Sequence, residues 1–445
     1  MSPISELEEH LAGVIPRPVH TLCNVLHDAG FRAWIVGGCV RDTLRERLIP
    51  GGLPREAGDW DLATDARPEQ VQALFKRVVP TGIDHGTVTV VLGGIGFEVT
   101  TLRGEAGYSD GRRPDSVFYV EEIEEDLARR DFTINAIAFE PRAGKLLDPF
   151  GGLADLTAGL LRAVGDPAER FAEDGLRVLR AARFVATLRV ELEPMTERAI
   201  EPSLASYRRV SQERIRDEWY KTLGAEQPSR GFRVMRCHGL LAITAPELPG
   251  ASSREPHPAW ERTLARVDAC ARDPALRLAA LLSEVSAPQP TQPAAAVADT
   301  VARRLRVSNA DRERVTAIVR QHGIDTSALR DDRVLRRWLA AIGRDRVEDV
   351  LGVARADAVA KRSSAELDAV AELTLRARTA LAAGTVLSVR ELCIGGRDLM
   401  DELGLTAGPA LGQLLGRLFD LVLDRPELNT RDALLERAKE LAGTG

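Results

Sequence analysis

Cysteine is scarce in this sequence, and long apolar runs are missing from it. The five cysteines are scattered and form no C-x-x-C pair: Cys23, Cys39, Cys237, Cys270 and Cys393. This usage fits a reducing compartment and argues against a zinc site or a disulfide framework. No apolar run approaches the roughly 18 residues that a membrane span needs. The N-terminal stretch MSPISELEEHLAG has neither the basic nor the apolar region of a signal peptide, so we expect a cytoplasmic protein without a membrane partner.

Lysine is scarce as well: five lysines stand among 60 basic residues, so arginine carries nearly all of the positive charge. A GC-rich coding bias explains such a composition, but it also supplies many planar guanidinium groups for phosphate or base contacts. The net charge of −6 does not by itself indicate a nucleic-acid-binding protein, since such proteins are usually basic. The length of 445 residues predicts two to four domains of about 100–200 residues each.

Two regions of different character follow one another along the chain. Over the first 150 residues, strand patterns such as FRAWIVGG, DWDLATD and the hairpin GTVTVVLGGIGFEVTTLR alternate with helical patterns. From about residue 166 nearly every segment has helical periodicity. The Pro/Ala-rich stretch 286–300 predicts a flexible connection. The sequence therefore predicts an α+β unit followed by a long all-helical part.

The stretch GDWDLAT places Asp59 and Asp61 one residue apart on a predicted strand. Alternate residues of a strand share a face, so the two carboxylates point the same way and repel unless a cation lies between them. Arginine or Mg²⁺ could supply that cation, and Mg²⁺ prefers oxygen ligands. Glu98 lies on a later strand and points away from the core, because its neighbours Phe97 and Val99 face the core. Three acids would form a cradle for two metal ions, although a D-x-D alone is also typical of a solvated face or a salt bridge.

A glycine turn precedes the acids. In IVGGCVRD, Gly37 and Gly38 stand between a predicted strand and a predicted helix. Glycines there allow the backbone to approach a phosphate, and a helix N-terminus offers free N–H groups to it. Arg41, one turn further on, could add a charge-assisted contact. A tight turn is the alternative interpretation, but the turn followed by paired acids indicates metal-dependent chemistry on a nucleoside triphosphate.

In their order along the chain, these motifs resemble those of the class II tRNA nucleotidyltransferase and bacterial poly(A) polymerase family. After GGCVRD and DWDLAT, residues 126–138 (DLARRDFTINAIA) are similar to the ribose-contacting motif, and residues 146–156 (LLDPFGGLADL) to the connecting motif. Residues 169–184 (ERFAEDGLRVLRAARF) resemble the nucleotide-selecting helix, and residues 211–223 (SQERIRDEWYKTL) the helix that braces it. Residues 392–441 resemble the C-terminal tail domain.

The resemblance implies a fold and a division of the chain. It implies an α+β nucleotidyltransferase head of the polymerase-β-like type with a mixed sheet, followed by an all-α neck, body and tail. The head is expected at 16–160, the nucleotide-selecting neck at 161–228, the body with a degenerate HD-like region at 229–384, and a tRNA-binding tail at 385–445.

The resemblance also implies roles for single residues. Asp59 and Asp61 would hold Mg²⁺, while Gly38 and Arg41 would contact the triphosphate. Arg130 and Asp131 would lie at the sugar, where a 2′-OH contact separates ribonucleotides from deoxyribonucleotides. Glu98 as a third catalytic acid follows from the strand geometry alone.

The predicted selecting helix has an acid followed by three regularly spaced arginines. Asp174, Arg177, Arg180 and Arg183 recur every three residues, so consecutive members lie on neighbouring parts of one helix face. Asp accepts and Arg donates hydrogen bonds, so together they can complement the edge of a base. The family uses such a pair as a protein template, first for cytosine and then for adenine. An intrahelical salt bridge is the structural alternative.

The glycine-rich segment GYSDGRRPDSV at 107–117 resembles the flexible loop that the family links to the switch from C to A addition. CC-only relatives tend to have a shortened loop, so this segment argues against a CC-only enzyme. An ordinary mobile surface loop is the alternative.

Two segments depart from the family pattern. Residues 48–58 are longer than the usual link in relatives, and we interpret them as an insertion beside the site. Residues 274–288 are similar to the helix that carries a His-Asp metal pair in relatives with an added phosphohydrolase domain, but Ser283 and Glu284 stand at those positions. Since neither side chain replaces an imidazole ligand, we expect no phosphohydrolase activity.

The sequence thus predicts an enzyme that adds CCA, or part of it, to tRNA 3′ ends from CTP and ATP by two-metal phosphoryl transfer. A CC-adding or A-adding enzyme of a split system and a poly(A) polymerase share every motif and stay open. Nucleotidyl transfer to a small molecule and a non-catalytic RNA-binding protein are the alternatives outside this class. Basic stretches at 301–314 and 333–346 could meet RNA phosphates or be solvated helix faces. The sequence does not fix the oligomeric state.

Overall fold

The computed structural model describes residues 3–49, 59–83, 86–106, 116–285 and 292–443. The chain forms two compact units, the first of residues 1–246 with 252–254 and the second of residues 247–251 with 255–445. Within the described ranges, no helix is long and apolar enough to cross a membrane.

A mixed seven-stranded sheet forms the base of the first unit. The strands of this unit are β1 (Ala33–Val36), β2 (Asp61–Thr64), β3 (Val78–Gly82), β4 (Thr87–Leu92), β5 (Ile95–Thr101), β6 (Arg103–Ala106), β7 (Ser116–Tyr119), β8 (Ala138–Glu140), β9 (Lys145–Leu147), β10 (Leu160–Leu161) and β11 (Glu191–Leu192). The large sheet has the order β3-β4-β5-β2-β1-β8-β9, while β6 pairs with β7 and β10 with β11.

Strand β2 lies at the centre of the large sheet, antiparallel to β1 and parallel to β5. Val36 pairs with Asp61, and Leu62 pairs with Val99. Because the two strands are parallel, Asp61 and Glu98, which precede this pair, lie side by side on β2 and β5. All four residues of β1 are buried, as expected for a central strand that is covered on both faces. The strand pairing thus places two of the predicted acids, Asp61 and Glu98, next to each other on neighbouring strands.

Helices surround this sheet and continue beyond it. Those of the first unit are α1 (Pro3–Val14), α2 (Arg17–Asp28), α3 (Gly38–Leu48), α4 (Pro68–Leu74), α5 (Ile123–Ala128), α6 (Gly152–Ala158), α7 (Pro167–Glu173), α8 (Leu176–Leu188), α9 (Pro194–Arg198), α10 (Leu204–Tyr207), α11 (Gln212–Leu223), α12 (Pro228–Cys237) and α13 (Leu240–Thr244). Helix α8 is buried along most of its length and packs against α11 and α12. Phe132 makes edge-to-face ring contacts with Phe171 of α7 and Phe184 of α8, at centroid distances of 6.4 and 5.6 Å. These rings fix both helices beside the segment that carries Arg130 and Asp131.

The second unit is helical throughout its named elements. They are α14 (Pro258–Ala269), α15 (Pro274–Leu282), α16 (Ala294–Arg304), α17 (Asn309–Arg320), α18 (Asp332–Ile342), α19 (Val347–Ala360), α20 (Ser364–Ala382), α21 (Gly396–Leu403), α22 (Pro409–Asp424) and α23 (Arg431–Gly443). Helix α19 packs against α14, α15, α17 and α20. The last three helices share an apolar cluster that includes the buried Leu399, Leu418 and Leu434.

The predicted α+β fold followed by helices is confirmed, and so is the hairpin, which β4 and β5 form. The prediction that Asp59 and Asp61 lie on one strand was wrong, because β2 begins at Asp61. The predicted connection at 286–300 is helical from Ala294 onwards. Residues 50–58 of the predicted insertion, 107–115 of the predicted loop and 286–291 of the connection lie outside the described residues. The four domain boundaries stay predictions.

Candidate active site

An open cavity of about 540 Å³ in the first unit gathers most of the residues singled out from the sequence. Seven arginines and three aspartates line it. The predicted site residues among its lining are Gly37, Gly38, Arg41, Asp61, Arg130, Asp131, Asp174, Arg177, Arg180 and Arg183. Asp59 and Glu98 are not lining residues, but they lie close enough to Asp61 to affect its pKa. A cavity with this excess of positive charge suits a polyanion.

The turn between β1 and α3 depends on a close backbone approach. Gly37 has φ 80° and ψ −142°, a conformation that favours glycine. A Cβ atom at this position would lie 3.3 Å from Arg130 Nη1 and 3.6 Å from Asp61 Oδ2. Helix α3 begins at Gly38, and the N–H groups of a first helical turn have no intrahelical acceptor. The backbone can thus offer donors to a phosphate directly beside Asp61 and Arg130.

Asp61 is the partly buried member of the acidic group, whereas Asp59 and Glu98 are exposed. Burial raises the pKa of the Asp61 carboxyl to about 6, and the negative charges of Glu98 and Asp59 add to the rise. The Arg130 guanidinium acts in the opposite direction. The protein's own cations therefore leave the negative charge of this group incompletely balanced.

The donor chemistry of the three acids fits a divalent cation. Each offers carboxylate oxygens, the ligand type that Mg²⁺ prefers. Glu98 faces away from the core as predicted, because Phe97 and Val99 are buried on the other face of β5. The ligand atoms of Asp59, Asp61 and Glu98 do not all lie within 4.8 Å of one another. A cation between the carboxylates would offset their mutual repulsion.

A hydrogen-bonded chain crosses the floor of the cavity. Arg41 Nη1 donates to Asn135 Oδ1 at 2.6 Å, and Asn135 Nδ2 donates to Asp131 Oδ1 at 2.9 Å. Arg180 donates to Asp131 Oδ2 from Nε at 2.8 Å and lies 2.6 Å from it through Nη2. Although burial opposes ionisation, the Arg180 guanidinium and the Asn135 amide hold the pKa of Asp131 well below its usual range. These hydrogen bonds fix Arg41 and Arg180 in orientations that face the cavity.

The predicted single helix at 169–184 is interrupted at the selecting residue. Helix α7 ends at Glu173 and α8 begins at Leu176, so Asp174 lies between them with φ −139° and ψ 105°. A Cβ atom on Gly175 would lie 2.3 Å from the carbonyl carbon of Ser206, so the backbone passes too close for any other residue. The prediction that Asp174 shares one helix face with the arginines was therefore wrong. The interruption instead places its carboxylate at the start of α8.

Asp174 and Arg177 are each held by other parts of the first unit. Arg214 of α11 donates to both carboxylate oxygens of Asp174. Arg177 Nη2 donates to the carbonyl oxygen of Arg129 at 2.9 Å. Arg177 Nη1 donates to the carbonyl oxygen of Arg170 at 2.8 Å and to the Glu173 carboxylate. The contacts of Arg177 reach outside its own helix, so the predicted alternative of a simple intrahelical salt bridge does not describe it fully.

The remaining arginines of α8 surround one aromatic ring. Arg183 Cζ lies 3.8 Å from the centroid of the Phe184 ring, and Arg41 and Arg180 lie 5.2 and 5.5 Å from it. Arg183 Nε also lies 2.5 Å from a carboxylate oxygen of the buried Glu218 on α11. Burial lowers the pKa of Arg183 to about 10, and Glu218 opposes this shift. Three guanidinium groups are thus packed together through one ring and one acid.

Sequence reasoning missed five residues that line the cavity, Arg129, Asn135, Leu176, Phe184 and Arg214, and also Glu218, which pairs with Arg183. Each lies inside a motif that was recognised, but the spacing along one segment does not reveal a partner on another helix. The signal that could have found them is chemical. A helix that packs beside Asp174 and several arginines is expected to carry a cation to pair with the aspartate and an acid to pair with an arginine. Residues 211–223 contain both types of side chain.

Comparison with protein-family models gives the class of the chain. Residues 33–162 match the Poly A polymerase head domain. Residues 189–250 match the probable RNA and SrmB-binding site of polymerase A, and residues 294–438 match tRNA nucleotidyltransferase domain 2. The cavity therefore lies in a nucleotidyltransferase of the class that includes poly(A) polymerases and tRNA nucleotidyltransferases.

Whole-chain comparisons narrow this class. The CCA-adding enzyme of Lactiplantibacillus plantarum is 35% identical over 443 residues, which cover 95% of each chain. The CCA-adding enzyme of Lactobacillus delbrueckii subsp. bulgaricus is 36% identical over 414 residues, which cover 92% of this chain and 94% of the relative. The chain belongs to the family of CCA-adding enzymes, and the predicted resemblance is confirmed.

Solved structures agree with this assignment. The Bacillus stearothermophilus CCA-adding enzyme in complex with CTP has a TM-score of 0.73 and 29% identity, and the match covers 100% of this chain and 99% of that chain. The Thermotoga maritima CCA-adding enzyme complexed with tRNA has a TM-score of 0.64 at 20% identity, which supports the fold.

Proposed function

We propose that this chain is a tRNA nucleotidyltransferase that adds CCA, or part of it, to tRNA 3′ ends from CTP and ATP. One observation carries the proposal: a single cavity joins Asp61, the Gly37 turn and the pair Asp174 and Arg177, in a chain of the CCA-adding enzyme family. The relative solved with CTP supports a nucleotide as the occupant. In the reaction the terminal 3′-OH of the RNA attacks the α-phosphorus, the bond to the bridging oxygen breaks, and pyrophosphate leaves.

Asp59 and Asp61 are the proposed ligands of Mg²⁺, with Glu98 as a third acid on the neighbouring strand. When bound, Mg²⁺ would neutralise negative charge on the attacking oxygen and on the leaving pyrophosphate. Because the pKa of Asp61 is about 6, this group is ionised at neutral pH. Its charge is incompletely balanced by Arg130, which is the electrostatic condition that attracts a divalent cation.

The triphosphate is proposed to lie along the turn that begins α3. Gly37 and Gly38 would let it approach the backbone N–H groups, and Arg41 and Arg130 would supply positive charge. Arg41 is already oriented by Asn135 at 2.6 Å and by Asp42 at 2.8 Å. Binding therefore requires little rearrangement of these groups, so that their contribution to the reaction is positioning and electrostatic stabilisation.

Arg130 and Asp131 are proposed to lie at the ribose. Both carboxylate oxygens of Asp131 accept hydrogen bonds from the protein, Oδ1 from Asn135 and Oδ2 from Arg180. The N–H of Phe132 also donates to Oδ1 at 2.9 Å, and Arg180 Nη2 lies 2.6 Å from Oδ2, so about all four acceptor positions of the carboxylate are occupied. A 2′-OH is therefore proposed to replace one of these donors at Asp131 or to accept a hydrogen bond from Arg130. A deoxyribonucleotide lacks that group and would leave the contact unmade.

Asp174 and Arg177 are proposed to select the base. The Asp174 carboxylate has about four acceptor positions, and the described contacts with Arg214 and with the N–H of Leu176 use three of them. Arg177 has five N–H donors, of which the contacts described above use three. Cytosine and adenine both present an amino donor next to a ring-nitrogen acceptor, which matches an Asp acceptor beside an Arg donor. Uracil and guanine present a carbonyl oxygen next to an N–H, the reverse pattern, and a mismatch of buried polar groups is strongly rejected.

A primer-extension assay tests the proposed function. Three tRNA primers are used, one ending before CCA, one after the first C and one after CC, with labelled CTP or ATP and Mg²⁺. Growth of all three to a complete CCA, followed by a stop, supports a full CCA-adding enzyme. A stop after CC, or action on the CC-ended primer alone, assigns the chain to a split system with a partner enzyme. Continued addition of A assigns it to the poly(A) polymerases, and no incorporation with tight tRNA binding contradicts an enzymatic role.

A further inference from the structure

Three potential metal ligands converge in the second unit, whereas the proposed nucleotide-binding residues all belong to the first. Glu284 follows α15, His322 follows α17, and Asp357 lies on α19. One ligand atom from each side chain lies within 4.8 Å of the other two. In the part of the chain that the structure describes, this is the one group of three His, Cys, Asp or Glu side chains with that spacing. Two carboxylates and one imidazole are a ligand set that divalent first-row metal ions accept.

A cation of the protein already lies between the two carboxylates. Arg266 of α14 is fully buried, and its Nη1 lies 2.6 Å from Asp357 Oδ1 and 3.3 Å from Glu284 Oε1. Its Nε donates to the carbonyl oxygen of Ala280 at 3.0 Å, and its Nη2 donates to Thr263 Oγ1 at 3.2 Å. Hydrogen bonds from Nε, Nη1 and Nη2 thus hold the guanidinium in one position.

The charges around Asp357 determine whether a metal ion can bind beside the Arg266 guanidinium. Lys361 Nζ lies 2.9 Å from Asp357 Oδ2, so Asp357 has a cationic partner at each oxygen. A divalent ion would have to displace Arg266 or stand beside it as a like charge in a buried place. Displacing Arg266 would leave a buried charge without its carboxylate partners, which is strongly destabilising. The arrangement therefore excludes a metal ion while the guanidinium is present.

We propose that Arg266 is the built-in cation of this Glu–His–Asp cluster, and that an uncharged residue in its place converts the cluster into a site for a transition-metal ion such as Co²⁺ or Zn²⁺. A cavity of about 250 Å³ borders His322, Asp357 and Lys361 and gives an ion access. Sequence reasoning noted that Glu284 cannot replace an imidazole. The fold supplies the imidazole from the turn after α17, through His322.

The test measures Co²⁺ binding by the full chain, since Co²⁺ in a site with nitrogen and oxygen ligands has visible absorption bands. The proteins are wild type, His322→Ala, Arg266→Met, the double variant Arg266→Met with His322→Ala, and the control Arg262→Met. Arg262 lies on the same helix, with its Nη2 4.0 Å from Glu284 Oε2, but it is half-exposed. We expect bands at equimolar Co²⁺ and a rise in Tm on metal addition for Arg266→Met alone. Removal of His322 should weaken this binding by at least about 10–100-fold, the range lost when even an outer partner of a metal ligand is removed.

Two results overturn the proposal. Wild type that binds equimolar Co²⁺ with a loss on His322→Ala would mean that the cluster is a metal site as it stands. Arg266→Met that is folded and gives no metal response would mean that the guanidinium does not occupy a cation position. If Arg266→Met is insoluble, the yield of soluble protein after refolding with and without Zn²⁺ is compared for the single and the double variant. Rescue by Zn²⁺ in the single variant and not in the double variant supports the proposal, and failure of rescue in both overturns it.

Discussion

Arg214 donates to both carboxylate oxygens of Asp174, from Nη1 to Oδ1 at 3.2 Å and from Nη2 to Oδ2 at 2.6 Å. Asp174 lies between α7 and α8, whereas Arg214 lies on α11. The pair therefore fixes the orientation of the proposed base acceptor from a separate helix. An acceptor that is oriented before the nucleotide arrives needs little rearrangement on binding.

Arg214→Met should reduce base selectivity more than it reduces stability. Without its partner the Asp174 carboxylate can rotate, so the acceptor no longer opposes the base amino group in one geometry. We expect the ratio of kcat/KM for CTP over UTP to fall by roughly tenfold, which corresponds to about 1.4 kcal/mol. Arg216→Met is the matched control, because Arg216 lies on the same helix and pairs with the exposed Asp217. An unchanged ratio in Arg214→Met would contradict the positioning role.

Arg177→Ala should blur the choice between bases while tRNA binding stays near its normal strength. The variant removes the donor that is proposed to face a ring nitrogen, and it leaves Asp174 in place. Single-nucleotide incorporation with CTP, ATP, UTP and GTP measures the choice, and a filter-binding titration with tRNA measures the affinity. A variant that keeps full discrimination, or one that loses tRNA affinity in parallel with discrimination, would count against a template made by this side chain.

Asp61→Asn should stabilise the metal-free protein at high pH. Folding raises the pKa of Asp61 from 3.8 to about 6, so the native state binds this proton more tightly than the unfolded chain. The stability that the proton provides is complete below pH 3.8 and is lost as the pH rises through 6. Asparagine carries no charge, so at pH 8 in EDTA the variant should be more stable by about 1–3 kcal/mol, seen as a higher Tm. The gain should shrink towards pH 4.

Asp59→Asn serves as the control for this measurement, because Asp59 is exposed. It should show no comparable gain between pH 5 and pH 8. If the Tm of Asp61→Asn at pH 8 is equal to or below that of wild type, the negative charge of Asp61 does not destabilise the folded protein.

Gly175→Ala should destabilise the first unit. A Cβ atom there would lie 2.3 Å from the Ser206 carbonyl carbon, and the clash is with backbone that cannot rotate away. We expect a loss of about 1–3 kcal/mol in the free energy of unfolding, typical of overpacking. Gly13→Ala on α1 is the control, since outside the adjacent backbone of its own helix no described atom lies within 4 Å of its added Cβ. Equal Tm values for the two variants would contradict the close approach of the backbone at Gly175.

Local patterns in the sequence predict the fold and the cavity lining well, because strands, turns and motifs are determined mainly by neighbouring residues. Gly37 and Gly38 mark their turn by residue type, and Phe97 and Val99 reveal the outward face of Glu98 by alternation. Such features need no knowledge of distant contacts.

The features that the sequence did not reveal depend on distant contacts. Beside the break at Asp174, the backbone of Ser206 passes so close that only glycine fits at position 175, and Ser206 belongs to a separate segment of the chain. The sequence placed Asp131 at the sugar by resemblance, but it did not reveal that the Asp131 oxygens accept hydrogen bonds from Asn135 and Arg180. Spacing within one helix cannot show which side chain arrives from another helix.

The central claim is that the acids beside the Gly37 turn carry out nucleotidyl transfer. Its most direct test measures Mg²⁺-dependent incorporation of labelled CMP into tRNA lacking CCA, by wild type and by Asp61→Asn, with the Tm of each protein as a check on folding. The account predicts that wild type incorporates CMP and that the folded variant loses about 10³-fold or more, the effect of several kcal/mol of lost charge stabilisation. Incorporation by folded Asp61→Asn within about tenfold of wild type, a difference of about 1.4 kcal/mol, would contradict it.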